Sequence, residues 1–435
     1  MKFALLNPTW TFDGSIYFGC REPHLPLEYG YARALLEDQG HDVLLVDGQS
    51  EQLSRADIRR RVADFRPDRT VITTAPSYLF WRCAPPELRV PQELLADLGD
   101  SAGLTIVIGP HASTTPAVTL RKLACDAAVV GEAEDILPQL AAPREQWGSV
   151  PSIVFRRSDG AVVQTDGGLH STNMEALPAL HWSAATIARH HHHHHRFEAK
   201  PSAPGAEMET SRGCPYHCTF CAKDNFRNAY RRRPLPIVID ELDGLIEGGV
   251  EYVYFIDEIF LPNKDLLEAV ALRDIHFGVQ TRIDLWNPPM LDLLGSAGCV
   301  SIEAGVESIS EQGRNLLDKK SRLTTEDISN RLIHAKSVVP FVQANLLDAK
   351  VDEPDAVEAW RQHLIAHGVW ANKPVPLFAY PGSPEYGRRW GQPDDQAWER
   401  AVDDYLKTFD EFSDIQEARP LRLADLECDA RRTSC

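Results

Sequence analysis

Thr210-Ser211-Arg212-Gly213-Cys214-Pro215-Tyr216-His217-Cys218-Thr219-Phe220-Cys221 places three thiols in one tight loop, directly after a segment that patterns as a strand. Soft thiolates select iron–sulfur clusters or zinc. Three ligands at Cys-x3-Cys-x2-Cys spacing leave one iron of a cubane without a protein ligand. An open coordination position is what a substrate-binding metal site needs. Structural zinc is the alternative. It requires a fourth Cys or His, usually from a second pair, and the other cysteines are scattered. His217 lies inside the loop, but a Cys-Pro-Tyr-His-Cys run does not easily turn both kinds of side chain onto one tetrahedral ion.

Around this loop, short apolar runs alternate with helix-period segments. The strands expected are Glu207–Ser211, Tyr252–Asp257, His276–Thr281, Val300–Val306, Phe341–Leu347 and Val375–Tyr380. Helices are expected near Ile237–Glu247, Lys264–Leu272, Pro289–Ser296, Thr325–Ser337 and Asp355–His367. Six βα units are fewer than the eight of a closed barrel, so residues 205–390 are expected to form an open, partial (βα)6 barrel. The polar, acidic and helix-prone tail, residues 391–435, has no evident role.

Upstream, residues 1–145 carry apolar runs at Phe3–Leu6, Val43–Asp47, Thr70–Thr74, Thr105–Gly109 and Ala127–Gly131. Amphipathic stretches near Glu28–Gln39, Arg55–Phe65, Pro91–Leu98, Pro116–Leu123 and Ala133–Ala141 accompany them. Continuous β-branched strands between helices argue for a parallel sheet covered on both faces. The fold class expected is therefore α/β, a doubly wound, Rossmann-like domain before the partial barrel, with its ligand crevice at the carboxyl ends of the strands. Residues 146–204 contain a hairpin, Ser152–Thr165 with Ser158-Asp159-Gly160 as its turn, then a linker from Gly167 to Gly205.

A net charge of −18 gives no drive toward a phosphate backbone. No stretch reaches the roughly 18 apolar residues of a membrane span, and the start lacks a signal-peptide core. Nine cysteines, three crowded together and the rest dispersed, suit metal binding in a reducing cytoplasm. The run His190–His195 invites a metal hypothesis, with loose binding by a natural linker set against an engineered tag. His363 and His367 have metal-capable helical spacing, but no acidic third ligand accompanies them.

Cys214, Cys218 and Cys221, with Phe220 before the last thiol, resemble the radical S-adenosylmethionine (SAM) superfamily. The resemblance implies a [4Fe–4S] cluster whose open iron is chelated by SAM, and a 5′-deoxyadenosyl radical that abstracts substrate hydrogen. It also implies a one-electron donor such as flavodoxin or ferredoxin. Ile256-Asp257-Glu258 stands where the family has Gly-Gly-Glu, so Asp257 and Glu258 are implied SAM contacts. Arg282 ends the third strand, Glu307 the fourth, and Asn345 lies on the fifth, the positions that the resemblance gives to SAM. Gln343–Asp348 lacks the glycines common on that fifth strand, while Leu377–Pro384 is similar to the closing Pro-Gly-Thr-Pro segment.

The first domain resembles the cobalamin-binding domain of the cobalamin-dependent branch. The segments that carry this are Leu27–Tyr31, Ile108-Gly109-Pro110-His111 and Val130-Gly131-Glu132-Ala133-Glu134. Gly109, Pro110, His111, Gly131 and Glu132 are thereby implied cobalamin contacts. A bland alternative exists for two of them, because Glu132 can serve a helix start and His111 an ordinary loop. The nearest match to an axial-histidine motif, Asp274–Gly278, is misspaced and in the wrong domain. The resemblance implies a cytoplasmic methyltransferase acting on an unactivated carbon of a small-molecule or lipid-like substrate. A cyclisation or rearrangement enzyme and a non-enzymatic cobalamin or cluster sensor are the alternatives. Neither nucleic acid nor a membrane span is expected.

Overall fold

The computed structural model describes residues 1–16, 23–76, 84–190, 204–408 and 419–427. Its first sheet contains parallel strands β1 (Lys2–Asn7), β2 (Asp42–Asp47), β3 (Arg69–Thr73), β4 (Leu104–Ile108) and β5 (Ala127–Val129). Their order, β2-β1-β3-β4-β5, is doubly wound, with its switch point between β1 and β3. Helices α1 (Leu27–Asp38), α2 (Arg55–Phe65), α3 (Arg89–Leu98), α4 (Pro110–Thr114) and α5 (Pro116–Lys122) connect them.

Alternate side chains enter two separate cores, as the pleat dictates. Phe3, Leu5, Val71 and Ile106 face one, Ala4, Leu6, Ile72 and Val107 the other. The first of these cores continues without a break into the barrel. A hairpin of β6 (Ile153–Arg156) and β7 (Val162–Gln164) extends the same sheet antiparallel from β5.

Three local expectations need correction. Ala133–Ala141 is a turn followed by a 3-10 helix, Leu137–Ala141, because Pro138 and hydrogen bonds of residues 132–135 to residues 170–172 prevent a full α-helix. The segment after Gly167 is no slack linker. His170 bridges Gly131 in parallel, and Leu180 N donates to Glu241. Val375–Tyr380 does not form one strand, since Pro374 and Pro376 offer no N–H and only Val375–Pro376 pairs.

The second sheet carries five parallel barrel strands in chain order: Gly205–Met208, Tyr252–Phe255, His276–Thr281, Cys299–Glu307 and Phe341–Asp348. Trp370–Ala371 and Val375–Pro376 share the sixth position. Along the fourth strand Ile302, Ala304 and Val306 are buried while Glu303, Gly305 and Glu307 are half-exposed. The fifth repeats this, with Val342, Ala344 and Leu346 buried and Gln343, Asn345 and Leu347 half-exposed. The buried set packs under the outer helices, and the half-exposed set lines an open, mostly polar lumen.

The tail acquires a clear place. Helix Ala397–Thr408 puts Trp398 on His111, ring centroids 4.1 Å apart, and Trp398 Nε1 donates to Thr115 Oγ1. Lys122 Nζ donates to both Glu399 and Glu427. On the other side Arg400 donates to Tyr386 Oη, and Tyr405 meets Phe378 edge-on. The tail thus straps the first domain to the end of the barrel. Among the described residues no helix is long and apolar enough to cross a membrane.

Candidate cofactor site at the barrel mouth

The thiol loop leaves the first barrel strand and returns through a narrow neck. Ser211–Arg212 pairs antiparallel with Arg231–Arg232, so residues 213–230 form a closed excursion. Gly213 has φ +77°, and a Cβ there would lie 2.0 Å from Ala229 O. Only glycine fits.

The segment after the second barrel strand braces this neck. The buried Asp257 carboxylate accepts from Thr210 N at 2.7 Å, Thr210 Oγ1 at 2.5 Å and Ser211 Oγ at 2.6 Å. Glu258 Oε2 accepts from Gly213 N at 2.8 Å. Burial pushes the Asp257 carboxyl up to about 7 and raises Glu258 as well. Both carboxylates hold the chain's own groups, because the strand end offers N–H and hydroxyl donors within reach.

Cys214, Cys218 and Cys221 are free and half-buried. Burial raises Cys214 and pushes Cys218 up to about 11 and Cys221 up to about 12, and the neighbouring cysteines add to the rise at Cys218 and Cys221. A bound metal cation would favour the thiolate forms that act as ligands. His217 is exposed, with Nδ1 3.3 Å from Asp224 Oδ2. Among the described residues no three His, Cys, Asp or Glu side chains gather closely enough to chelate a single ion. Three free thiols within one short loop are the donor type that holds an iron–sulfur cluster.

The remaining barrel candidates stand at neighbouring strand ends. The Arg282 guanidinium lies over the Tyr216 ring, 4.1 Å from its centroid, and donates to Asp284. Arg282 Nη1 and Gln280 Oε1 are buried without a hydrogen-bond partner among the described residues, polar capacity that a polar cofactor could take up. Glu307, at φ +61°, pairs with Lys319, and the loop carrying Lys319 touches the thiol loop through Thr219 N to Leu317 O. Asn345 accepts from Gln343 and lies in register with Gly305. Phe220 is half-buried within the thiol loop.

Across from the loop stand the ends of β4 and β5. Gly109 (φ +108°) and Gly131 (φ +98°) line a water-sized cavity with Glu28, Glu134 and Phe226. A Cβ at Gly131 would meet His170 O at 2.3 Å, so the neighbouring chain alone demands this glycine. A second cavity, about 20 Å³, brings together Pro110, Thr114, Ala222, Lys223, Phe226 and Trp398. The strand ends and the returning limb of the loop therefore face each other directly. His111 points inward: its Nε2 lies 3.2 Å from Pro86 O, and burial pushes its pKa down to about 3, so the ring is neutral. Glu132 is buried and ion-paired with Arg212 and Arg231 while accepting from Thr172 N.

The inward ion pairs escaped sequence inspection. Arg212, inside the thiol motif, joins Glu134 of the first domain at 2.7 Å and Glu209 at 2.9 Å. An arginine in the motif, beside acids at strand ends, was the available signal. Of the histidine tract only His190 is described. It is buried between Thr186 O and Asp47 Oδ2, and His191–His195 lie outside the described residues. His363, in the helix Pro354–Ala366, and His367, its C-cap, are exposed, His367 Nδ1 being 2.8 Å from His363 O.

Comparison with known proteins agrees with both halves of this geometry. Residues 21–141 match the family model of the B12 binding domain, and residues 208–346 match that of the Radical SAM superfamily. An uncharacterised methyltransferase of Pyrococcus horikoshii is 26% identical over 323 residues, covering 71% of this chain and 66% of that protein. The anaerobic magnesium-protoporphyrin IX monomethyl ester cyclase of Rubrivivax gelatinosus is 23% identical, covering 79% of this chain and 62% of that protein. This chain thus spans a little under two thirds of the length of these relatives. Among solved structures, the radical SAM methyltransferase TsrM of Kitasatospora setae, with tryptophan substrate and a SAM analogue, superposes with a TM-score of 0.68. Its identity is 17%, over 89% of this chain and 76% of TsrM. TsrM has also been solved with cobalamin and a [4Fe–4S] cluster bound.

Proposed function

We propose that this chain, a B12-binding domain joined to a radical SAM domain, methylates an unactivated carbon of a small-molecule or lipid-like substrate. The observation that carries this is one surface facing another: a three-thiol loop at the barrel mouth opposite the glycine-bearing ends of β4 and β5. In this proposal Cys214, Cys218 and Cys221 hold the [4Fe–4S] cluster. Phe220, Arg282, Glu307 and Asn345 border SAM, while Asp257 and Glu258 act by fixing the loop beside it. Gly109, Pro110 and Gly131 form the cobalamin edge, which His111 and Glu132 support from behind. When bound, the cluster and SAM supply a hydrogen-abstracting radical, and cobalamin supplies the methyl group.

The chain's own contribution is placement and exclusion of water. Asp257 and Glu258 hold the loop neck, the Trp398 strap covers α4, and the polar lumen residues Gln280, Gln343 and Asn345 offer hydrogen bonds to a bound molecule. The methyltransferase relative and the TsrM fold support methyl transfer. The cyclase relative favours a second reading, a cyclisation or rearrangement with the same cofactors. A flavodoxin- or ferredoxin-type donor in the cytoplasm would provide the electron.

The test is anaerobic reconstitution with iron, sulfide, hydroxocobalamin, SAM and a one-electron reductant. Methyl transfer requires both 5′-deoxyadenosine and S-adenosylhomocysteine. Formation of 5′-deoxyadenosine alone would reject it in favour of rearrangement, and no SAM cleavage at all would favour a sensor.

A further inference from the structure

Arg227 lies on the returning limb of the thiol loop and is only 1% exposed. Its guanidinium meets carboxylates from four places in the fold. Nη1 reaches Glu209 at 2.8 Å and Glu258 at 3.1 Å, Nη2 reaches Glu28 at 3.4 Å, and Nε stands 4.0 Å from Glu132. Glu28 belongs to α1 and Glu132 follows β5, so both are from the first domain. Glu209 and Glu258 follow the first and second barrel strands.

Glu258 also holds Gly213 N, directly before Cys214. A path of ion pairs therefore runs from the loop neck through Glu258 and Arg227 to Glu28 of the first domain, with Glu132, the residue following Gly131, 4.0 Å from the same guanidinium. Among the described residues that make these contacts, Glu28, Glu132, Glu134, Glu209 and Glu258 outnumber Arg212, Arg227 and Arg231. Removing one guanidinium leaves these buried carboxylates with less compensation, and a buried charge deprived of its partner is costly. Arginine's planar fork can address several carboxylates at once, whereas a lysine ammonium is a point charge.

We propose that Arg227 is a positioning residue that sets the thiol loop against the cobalamin edge of the first domain. This rests on the function proposed above. Arg227 touches no reacting atom in this scheme; it fixes the separation and tilt of the two platforms between which substrate must sit.

The test compares the full-length chain with Arg227→Lys, Arg227→Gln and Arg231→Gln, each reconstituted anaerobically with iron, sulfide and hydroxocobalamin. Arg231 contacts the same Glu132, and Thr172 O, but lies off the path to Glu258. The readouts are iron content, hydroxocobalamin Kd by absorbance titration, and the electron paramagnetic resonance spectrum of the reduced cluster with and without SAM. Arg227→Gln is expected to weaken hydroxocobalamin roughly tenfold or more, the scale of one lost charge-assisted contact, and to change the SAM-dependent spectrum. Arg227→Lys should recover part of both effects with wild-type iron content, and it decides the matter if the glutamine variant does not fold. Arg231→Gln, which takes a partner from Glu132 but not from Glu258, should weaken hydroxocobalamin while leaving the SAM-dependent spectrum as in wild type. Wild-type Kd and spectrum in both Arg227 variants would overturn the proposal, as would an Arg231→Gln variant that reproduces the spectral change of the Arg227 variants. A wild-type chain that takes up no hydroxocobalamin would instead sink the functional proposal itself.

Discussion

Replacing Gly213 by alanine should disable the metal loop while leaving the domains folded. An L-residue in left-handed backbone costs about 1–2 kcal/mol. The new methyl would also meet Ala229 O at 2.0 Å, Ala229 C at 2.5 Å and Tyr230 N at 3.1 Å, all backbone atoms that no rotamer change can move. Relief requires parting the Ser211–Arg212 and Arg231–Arg232 ribbon, at about 1 kcal/mol per hydrogen bond. Loosening the 2.8 Å bond from Gly213 N to Glu258 adds about 2 kcal/mol for a charged acceptor. The total, about 4 kcal/mol or more, corresponds to a roughly thousandfold depletion of the closed loop. Opening is local, so the thermal midpoint of the metal-free chain should change little. Iron and acid-labile sulfide per chain after anaerobic reconstitution should fall far below wild type, and 5′-deoxyadenosine formation should be lost. Wild-type iron loading in Gly213→Ala would refute the claim that this neck shapes the metal site.

Ala at Cys214, Cys218 or Cys221 should abolish cluster absorbance, whereas His217→Ala, whose ring faces Asp224, should keep wild-type iron; iron retained only when His217 is present would restore zinc-type ligation. Glu87 is buried against Ser15 Oγ, and burial pushes its carboxyl up to about 7 from an ordinary 4.5. The folded state therefore binds the extra proton between those values, and its stability falls as pH rises from about 4.5 to about 7. Glu87→Gln should flatten that slope in urea titrations across pH 5–8, and an unchanged slope would remove Glu87 as its source. Trp398→Ala removes both the His111 stack and the Thr115 hydrogen bond, which should cost about 3–5 kcal/mol and expose the tail to limited proteolysis before the barrel.

Much of the architecture is legible in short windows of the chain. Ser54 with Asp57, and Thr324 with Asp327, form capping boxes that start α2 and the helix Thr325–Val338 at their expected residues. His276–Thr281 patterns as a strand and is one. Legibility fails where proline or a distant partner intervenes. Pro376 cuts the sixth strand short, and residues 170–172 hold Glu132–Asp135 out of a helix. The roles of Asp257 and Glu258 were half visible: their place at a strand end is local, but the donors that occupy them come from the preceding strand.

Sequence by itself determined the ligand spacing and the two-part α/β order, because both follow from periodicities and spacings within a few residues. Only the tertiary structure decided the seam between the halves. Arg212 and Glu132 are 80 residues apart and Arg227 and Glu28 are 199 apart, and no local pattern marks a charge whose partner arrives from another domain. Which buried cation meets which buried acid depends on how two sheets set their strand ends together, and that is settled by packing.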